Sequence, residues 1–266
     1  MSIIDSEQNW QSYRTLINGN VSFCTVNLDI VERFSPDSYN KIIQVSMPYE
    51  SDESDEKGMP TLEEHERITL DLFRLLVQSS SLSEVIYAGH ISGDSHLQVY
   101  YYCDDSEPLF DMLSQFKDCV DKIDVQDDPQ WDTYFDFLLP SPLEMKLNAT
   151  EEIIDMLVQH RRNLADNYTI EHTFQFPEEN MMFQFMEEVN LGDISFNTMS
   201  YSNMPVTITN EDNSKESFYI VKIEQELTLD TEDIFNYIER FENLAEKFSG
   251  EYNGWESDTI NRVKSN

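Results

Sequence analysis

The chain has 266 residues, enough for one large domain or two small ones at roughly 100–200 residues per domain. It carries 52 acidic and 17 basic residues, which gives a formal net charge of −35. A surface of this charge repels phosphate backbones and anionic lipids, so we expect no direct binding to nucleic acid or membranes and a partner that is basic.

The sequence contains no apolar run close to the roughly 20 residues that a membrane-spanning helix needs. The first ten residues, MSIIDSEQNW, have neither a basic leader nor an apolar signal core, so we predict a cytoplasmic protein. Cys24, Cys103 and Cys119 lie far apart and form no CxxC pair, so we predict reduced core residues and neither disulfides nor a thiolate metal site.

The N-terminal half mixes strand and helix patterns. Period-two and helical spacings of apolar residues predict strands at 21–30, 41–49, 85–91 and 97–103, and helices at 61–78, 107–120 and 129–138. Thr61 with Glu64 has the spacing of a capping box, and the acidic run 50–57 is typical of a solvated loop rather than a calcium site. Pro140 and Pro142 mark the predicted end of this half.

The C-terminal half has a regular order of elements. A leading helix at 148–164 precedes predicted strands at 168–176, 194–201, 218–227 and 252–255, with helices at 178–191 and from Asp230 to Gly250. The order strand, helix, strand, strand, helix, strand predicts a ferredoxin-like (βαββαβ) sandwich. We therefore predict an α+β protein of two domains: a related α+β sandwich at 1–140, a linker at 141–147 and the ferredoxin-like domain at 148–266.

A hairpin of the N-terminal half contains the best candidates for a metal site. His90, Asp94 and His96 flank a predicted turn, and two imidazoles with a carboxylate are common ligands of zinc or iron. The alternative interpretation is a hydrogen-bonded turn. The sequence has no nucleophile elbow, phosphate loop or dinucleotide turn, so we expect no catalysis and no cofactor.

Short motifs in the C-terminal half resemble the bacterial regulator of ribonuclease activity B. They are YTIEH from Tyr168, the helix beginning EEIID at Glu151, and LAEKF followed by GEYNGWE from Gly250. The resemblance implies an acidic α+β sandwich that binds and inhibits ribonuclease E. The N-terminal segments YAGHISGDSHLQVYYYC and DDPQWDTYFDFLLP resemble an uncharacterised bacterial domain often found ahead of such a regulator, which implies no activity.

We therefore expect a non-catalytic protein that binds a basic segment of a ribonuclease E-type enzyme or its scaffold. Candidate partner-binding residues are Glu171, His172, Tyr252, Trp255 and Glu256. For Trp255, a place in the core or at a sheet edge is the other interpretation. Two alternative functions stay open: a metal-dependent hydrolase that uses the hairpin histidines, and an acidic interaction protein of unknown function. The oligomeric state is not predicted.

Overall fold

The computed structural model describes residues 9–51, 58–209, 214–257 and 260. Most of the predicted acidic loop, residues 52–57, lies outside the described residues. The chain divides into two compact units, Met1–Glu144 and Met145–Asn266. Within the described ranges, no helix is both long and apolar enough to cross a membrane.

The N-terminal unit is built on a six-stranded antiparallel sheet with the order β1-β2-β4-β5-β3-β6. Its strands are β1 (Trp10–Ile17), β2 (Asn20–Asn27), β3 (Lys41–Pro48), β4 (Val85–Gly93), β5 (His96–Cys103) and β6 (Lys122–Asp127). Its helices are α1 (Ile30–Arg33), α2 (Leu62–Ser79) and α3 (Glu107–Leu113), with a 3-10 turn at Ser114–Phe116 and a π-helical segment at Thr133–Leu138.

Both faces of this sheet are buried, each over its own core. On one face Val45, Val99 and Tyr101 pack with residues of α2 and α3. On the other face Tyr102 packs with Trp131 and its neighbours in the π-helical segment. The three cysteines, for which we predicted reduced core positions, are free and buried. Burial raises the pKa of Cys24 to about 12. They are therefore inert thiols at neutral pH.

The predicted N-terminal elements are present, with some changes in extent. The predicted strand at 21–30 ends at Asn27, and the predicted helix at 107–120 is shorter as α3. The hairpin turns on Asp94 and Ser95, which both have positive φ, as a tight two-residue turn requires. Strands β1 and β6 were not predicted. The unit is α+β, but its strand order differs from that of the C-terminal unit.

The C-terminal unit contains a five-stranded sheet under three helices. Its elements are α4 (Pro142–Gln159), β7 (Tyr168–Phe176), α5 (Glu179–Leu191), β8 (Thr198–Tyr201), β9 (Val206–Thr209), β10 (Lys215–Leu227), α6 (Asp233–Lys247) and β11 (Glu251–Glu256). The sheet order is β11-β7-β10-β8, and β9 pairs only with the first residues of β10. All of these pairs are antiparallel.

This order contains two interlocked split βαβ units. Strand β10 lies between β7 and β8, which α5 connects, and β7 lies between β10 and β11, which α6 connects. That is the arrangement expected from the βαββαβ order of the sequence. Phe185 of α5 and Phe241 of α6 both pack against Phe174 of β7, with ring centroids 4.7 Å and 5.2 Å apart, so both helices cover one face.

Helix α4 begins earlier than predicted. Pro142 starts it, which suits a residue without a backbone N–H, and the predicted linker 141–147 is therefore mostly helical. Lys146 of α4 forms an ion pair with Glu242 of α6 at 2.8 Å, and both side chains are about four-fifths shielded from water.

The end of α6 corrects the predicted role of Gly250. Ser249, not Gly250, has the positive φ (54°) that ends the helix. A Cβ at Gly250 would lie 2.3 Å from the Phe176 ring, so this glycine permits close packing of the chain on β7.

Candidate partner-binding face

The sheet of the C-terminal unit has one covered face and one open face. Along β7 the burial alternates, with Tyr168, Ile170, His172, Phe174 and Phe176 buried under the helices and the residues between them exposed or half-exposed. The central part of β10 alternates in the same way. This is the period-two pattern of a strand with one solvated face.

The open face is acidic. Its outward positions on β7, β10 and β11 include one lysine, Lys222, and six glutamates, which are Glu171, Glu216, Glu224, Glu226, Glu251 and Glu256. The neutral outward residues are mainly threonine, glutamine and isoleucine.

Three of these glutamates form a row across neighbouring strands, which we call the glutamate row. Glu171 on β7 is the cross-strand partner of Glu256 on β11 and of Glu224 on β10. Directly opposed side chains have Cβ atoms roughly 5 Å apart, and like charges at that spacing destabilise a sheet. The strand register therefore holds three carboxylates side by side, which lowers the stability of the free protein.

Lys222 partly neutralises the glutamate row. Its Nζ lies 2.5 Å from Glu171 Oε1, and the bond to Glu171 raises the pKa of Lys222. The charge of Glu256 acts in the same direction, which is consistent with its place beside Glu171. One lysine against three glutamates leaves the row with a net negative charge.

Two predicted partner-binding residues are buried and do not reach this face. His172 and Tyr252 are 0% and 1% exposed, and His172 Nδ1 lies 2.7 Å from the Tyr252 hydroxyl. Burial lowers the pKa of His172 to about 3, with an interaction with Gln225 acting in the opposite direction, and burial raises the pKa of Tyr252 well above its usual range. This pair is a neutral core contact, so neither of these two predicted partner-binding side chains reaches the surface.

A β-bulge determines which face Trp255 and Glu256 occupy. The β11–β7 register shifts between Tyr252 and Trp255, where Gly254 has a φ of +96°. The shift places Trp255 opposite His172 on the covered face and Glu256 opposite Glu171 on the open face. Trp255 is half-buried, and its Nε1 donates to Thr150 Oγ1 of α4 at 2.9 Å. It is thus a packing residue at the sheet edge.

An apolar extension of the open face was not predicted. The first residues of β10 pair with β9 in a two-stranded ribbon, in which Phe218 opposes Val206 and Glu216 opposes Ile208. By strand alternation these four side chains share one side of the ribbon, and Phe218 points to the same side as Ile220 and Lys222. Val206 is 38% and Ile208 41% exposed. The open face therefore continues beyond Lys222 into a ribbon on which Glu216 lies beside three apolar side chains.

The hairpin histidines of the N-terminal unit do not converge. His90 lies opposite Val99, whereas His96 lies opposite Gly93, three positions from His90, so the two imidazoles point to opposite faces of the sheet. His90 Nδ1 contacts the Tyr87 hydroxyl, and His96 Nδ1 contacts the backbone oxygen of Asp94. No three His, Cys, Asp or Glu side chains of the described chain lie close enough to hold a metal ion. The three candidate metal ligands of the hairpin are therefore not brought together around one point.

The fold and the open face define a two-domain α+β protein with an acidic surface available for protein contacts. Residues 147–257 match the family model of the regulator of ribonuclease activity B, and residues 8–139 match a family of unknown function (DUF695). The family that the C-terminal unit resembles is one of regulators of ribonuclease activity, a regulatory rather than a catalytic family. No curated protein matches the chain.

Proposed function

We propose that this protein inhibits a ribonuclease of the ribonuclease E type, or its RNA-decay complex, by direct protein contact and without catalysis of its own. The contact is made by the open face of the C-terminal unit with a basic segment of the ribonuclease or its scaffold. The match of this unit to the regulator of ribonuclease activity B supports the kind of target.

The main observation that supports this proposal is the glutamate row. Glu171, Glu224 and Glu256 repel each other in the free protein, and Lys222 offsets only part of that repulsion. A segment rich in lysine or arginine would remove the remaining repulsion while forming charge-assisted hydrogen bonds. The same segment would be attracted from a distance by the net charge of −35.

The ribonuclease is inhibited because its basic segment is occupied by the open face. Segments that bind RNA use lysine and arginine to contact phosphates, and these are the side chains that the glutamate row attracts. A basic segment bound to the open face is unavailable to RNA. The contact involves partly solvated charges, so it weakens as salt screens them.

The experiment uses the full chain and the purified ribonuclease E-type enzyme of the same organism. Binding and cleavage of a model RNA are measured for wild type and for the triple variant E171Q/E224Q/E256Q, at about 50 mM and about 300 mM NaCl. The matched control is E187Q/E239Q/E246Q, which removes the same charge from exposed positions on α5 and α6.

We expect wild type and the control variant to bind and inhibit at low salt, and the row variant to bind about tenfold more weakly or worse. Equal binding by the two triple variants would show that the open face is not the interface. Absence of any binding or inhibition by wild type would overturn the proposed function and favour an acidic interaction protein with a partner unrelated to RNA decay.

A further inference from the structure

A concave pocket in the N-terminal unit is separate from the face discussed above and independent of the proposed function. It has a volume of about 370 Å³ and lies between strands β1, β2 and β4 and the C-terminal half of α2. Pockets for small molecules usually have volumes of roughly 300–1,000 Å³. This one is therefore large enough for a small ligand of one or two fused rings.

Aromatic side chains form the walls of this pocket. Trp10 and Tyr87 lie side by side on the sheet, with ring centroids 5.1 Å apart and planes tilted by 30°. Phe73 of α2 lines the pocket and is 58% exposed, and Phe34 contributes a fourth ring. An exposed phenylalanine beside a concave apolar surface is the arrangement of a wall that a ligand would cover.

The lining contains no charged side chain. None of its eleven residues is Asp, Glu, Lys or Arg, although these make up 26% of the sequence. Its polar groups are the side chains of Thr25, Asn27, Ser79 and Ser80, the Tyr87 hydroxyl and the indole N–H of Trp10. The Ser80 hydroxyl donates to the backbone oxygen of Val77 at 2.8 Å, which leaves its lone pairs able to accept a hydrogen bond.

The surroundings of the pocket also stay neutral. The ring of His90 stacks with that of Tyr87, and its Nδ1 lies 2.5 Å from the Tyr87 hydroxyl. Burial lowers the pKa of His90 to about 4, so the imidazole is uncharged at neutral pH. An anionic ligand would find no cation in the lining and would be repelled by the net charge of the chain, and a cation would find no carboxylate there.

We propose that this pocket is a binding site for a small, uncharged aromatic molecule. The ligand stacks against Trp10 and Tyr87, is covered by Phe73 and donates a hydrogen bond to a serine or threonine hydroxyl of the lining. Offset or edge-on ring contacts of this kind contribute beyond the apolar area that they bury.

The test compares two fluorescent probes that differ in a sulfonate group. N-phenyl-1-naphthylamine is neutral, and 8-anilino-1-naphthalenesulfonate carries nearly the same ring system with a negative charge. Each is titrated into the full chain and into three variants, F73A, S80F and L70A. Phe73 and Ser80 line the pocket, whereas Leu70 lies on the same helix, is 65% exposed and does not line it.

We expect the neutral probe to bind saturably at one site, and the sulfonate to bind at least about tenfold more weakly. F73A and S80F should each raise the Kd of the neutral probe at least about fivefold, because one removes a wall and the other fills the space, while L70A leaves it unchanged. Thermal melting of each variant checks that it is folded.

Several results would overturn the proposal. Non-saturable binding, or an equal Kd for all the variants, would show that the probe binds no defined pocket. Equal affinity for the sulfonate would exclude an uncharged ligand class. If L70A weakened binding of the neutral probe as much as F73A does, the probe would be binding an extended surface of α2 suited to a protein partner.

Discussion

His172 illustrates how a residue within a family-like motif can serve the fold rather than the interface. It lies in the YTIEH segment, yet its ring packs against Phe241 with centroids 4.7 Å apart and bonds to Tyr252. Its Nε2 has no hydrogen-bond partner among the described residues. The alternation of β7 predicts that His172 is buried, because position 172 shares its side of the strand with Ile170 and Phe174.

The buried His172 predicts a loss of stability in mild acid. Its pKa is lowered to about 3 in the folded chain and is about 6.5 in the unfolded chain. As the pH falls below about 6.5, the unfolded state therefore binds a proton that the folded state does not. Between about pH 7.5 and pH 5.5 this lowers the free energy of unfolding by roughly 1.4 kcal/mol.

Urea unfolding at the two pH values, followed for the C-terminal unit, measures this effect. H172Q should show a pH dependence smaller by about that amount, whereas H65Q, at an exposed position of α2 in the N-terminal unit, should not. An unchanged pH dependence in H172Q would mean that the folded protein accommodates the imidazolium.

Glu224 predicts opposite effects on stability and on binding. E224Q removes one member of the glutamate row, so the free energy of unfolding should rise by about 0.2–1 kcal/mol while affinity for the basic partner falls. Chemical denaturation and a binding titration measure the two quantities. E239Q, the same change on α6, should leave both nearly unaltered, and a loss of stability in E224Q would contradict the strain assigned to the row.

At the scale of the element, strand β10 has two different environments. Residues 221–224 lie between β7 and β8, over the core, whereas residues 215–218 pair only with β9 and are exposed or half-exposed. A two-stranded ribbon alone has marginal stability in water. One continuous strand therefore joins a stable segment to a weakly held one.

Hydrogen exchange along β10 should follow this division. Amides of residues 215–218 should open with free energies of roughly 0–2 kcal/mol, whereas those of 221–224 should approach the global free energy of unfolding, about 5 kcal/mol or more. Mass spectrometry of overlapping peptides resolves the two segments. Equal protection in both would mean that the ribbon is held by contacts other than those with β9.

The sequence predicted elements better than their register. The helical stripe of α6 and the alternation of β7 are local patterns, and both elements were predicted. Strand β1 was missed because polar residues such as Gln11 and Arg14 interrupt its apolar pattern, and β9 because it has only four residues. The glutamate row depends on a bulge: without the shift at Gly254, Trp255 rather than Glu256 would oppose Glu171.

At the scale of the whole molecule, charge predicts opposite responses of folding and binding to salt. A net charge of −35 opposes the compact state by self-repulsion, so added salt should raise the melting temperature of the free protein by several degrees. The same salt should weaken binding of the basic partner. Melting curves and binding titrations at about 50 mM and about 300 mM NaCl test both. Binding that is indifferent to salt would exclude the glutamate row as its main determinant.

The early start of α4 determines where a stable C-terminal fragment can begin. A fragment cut at residue 147, where the match to the ribonuclease regulator begins, would lose the first turn of α4 and Lys146. Glu242 would then be left without its cation in a largely dry site at the side of α6. Failure of such a fragment to bind would therefore report the damage of the cut, whereas a fragment that begins before Pro142 keeps the helix and its ion pair.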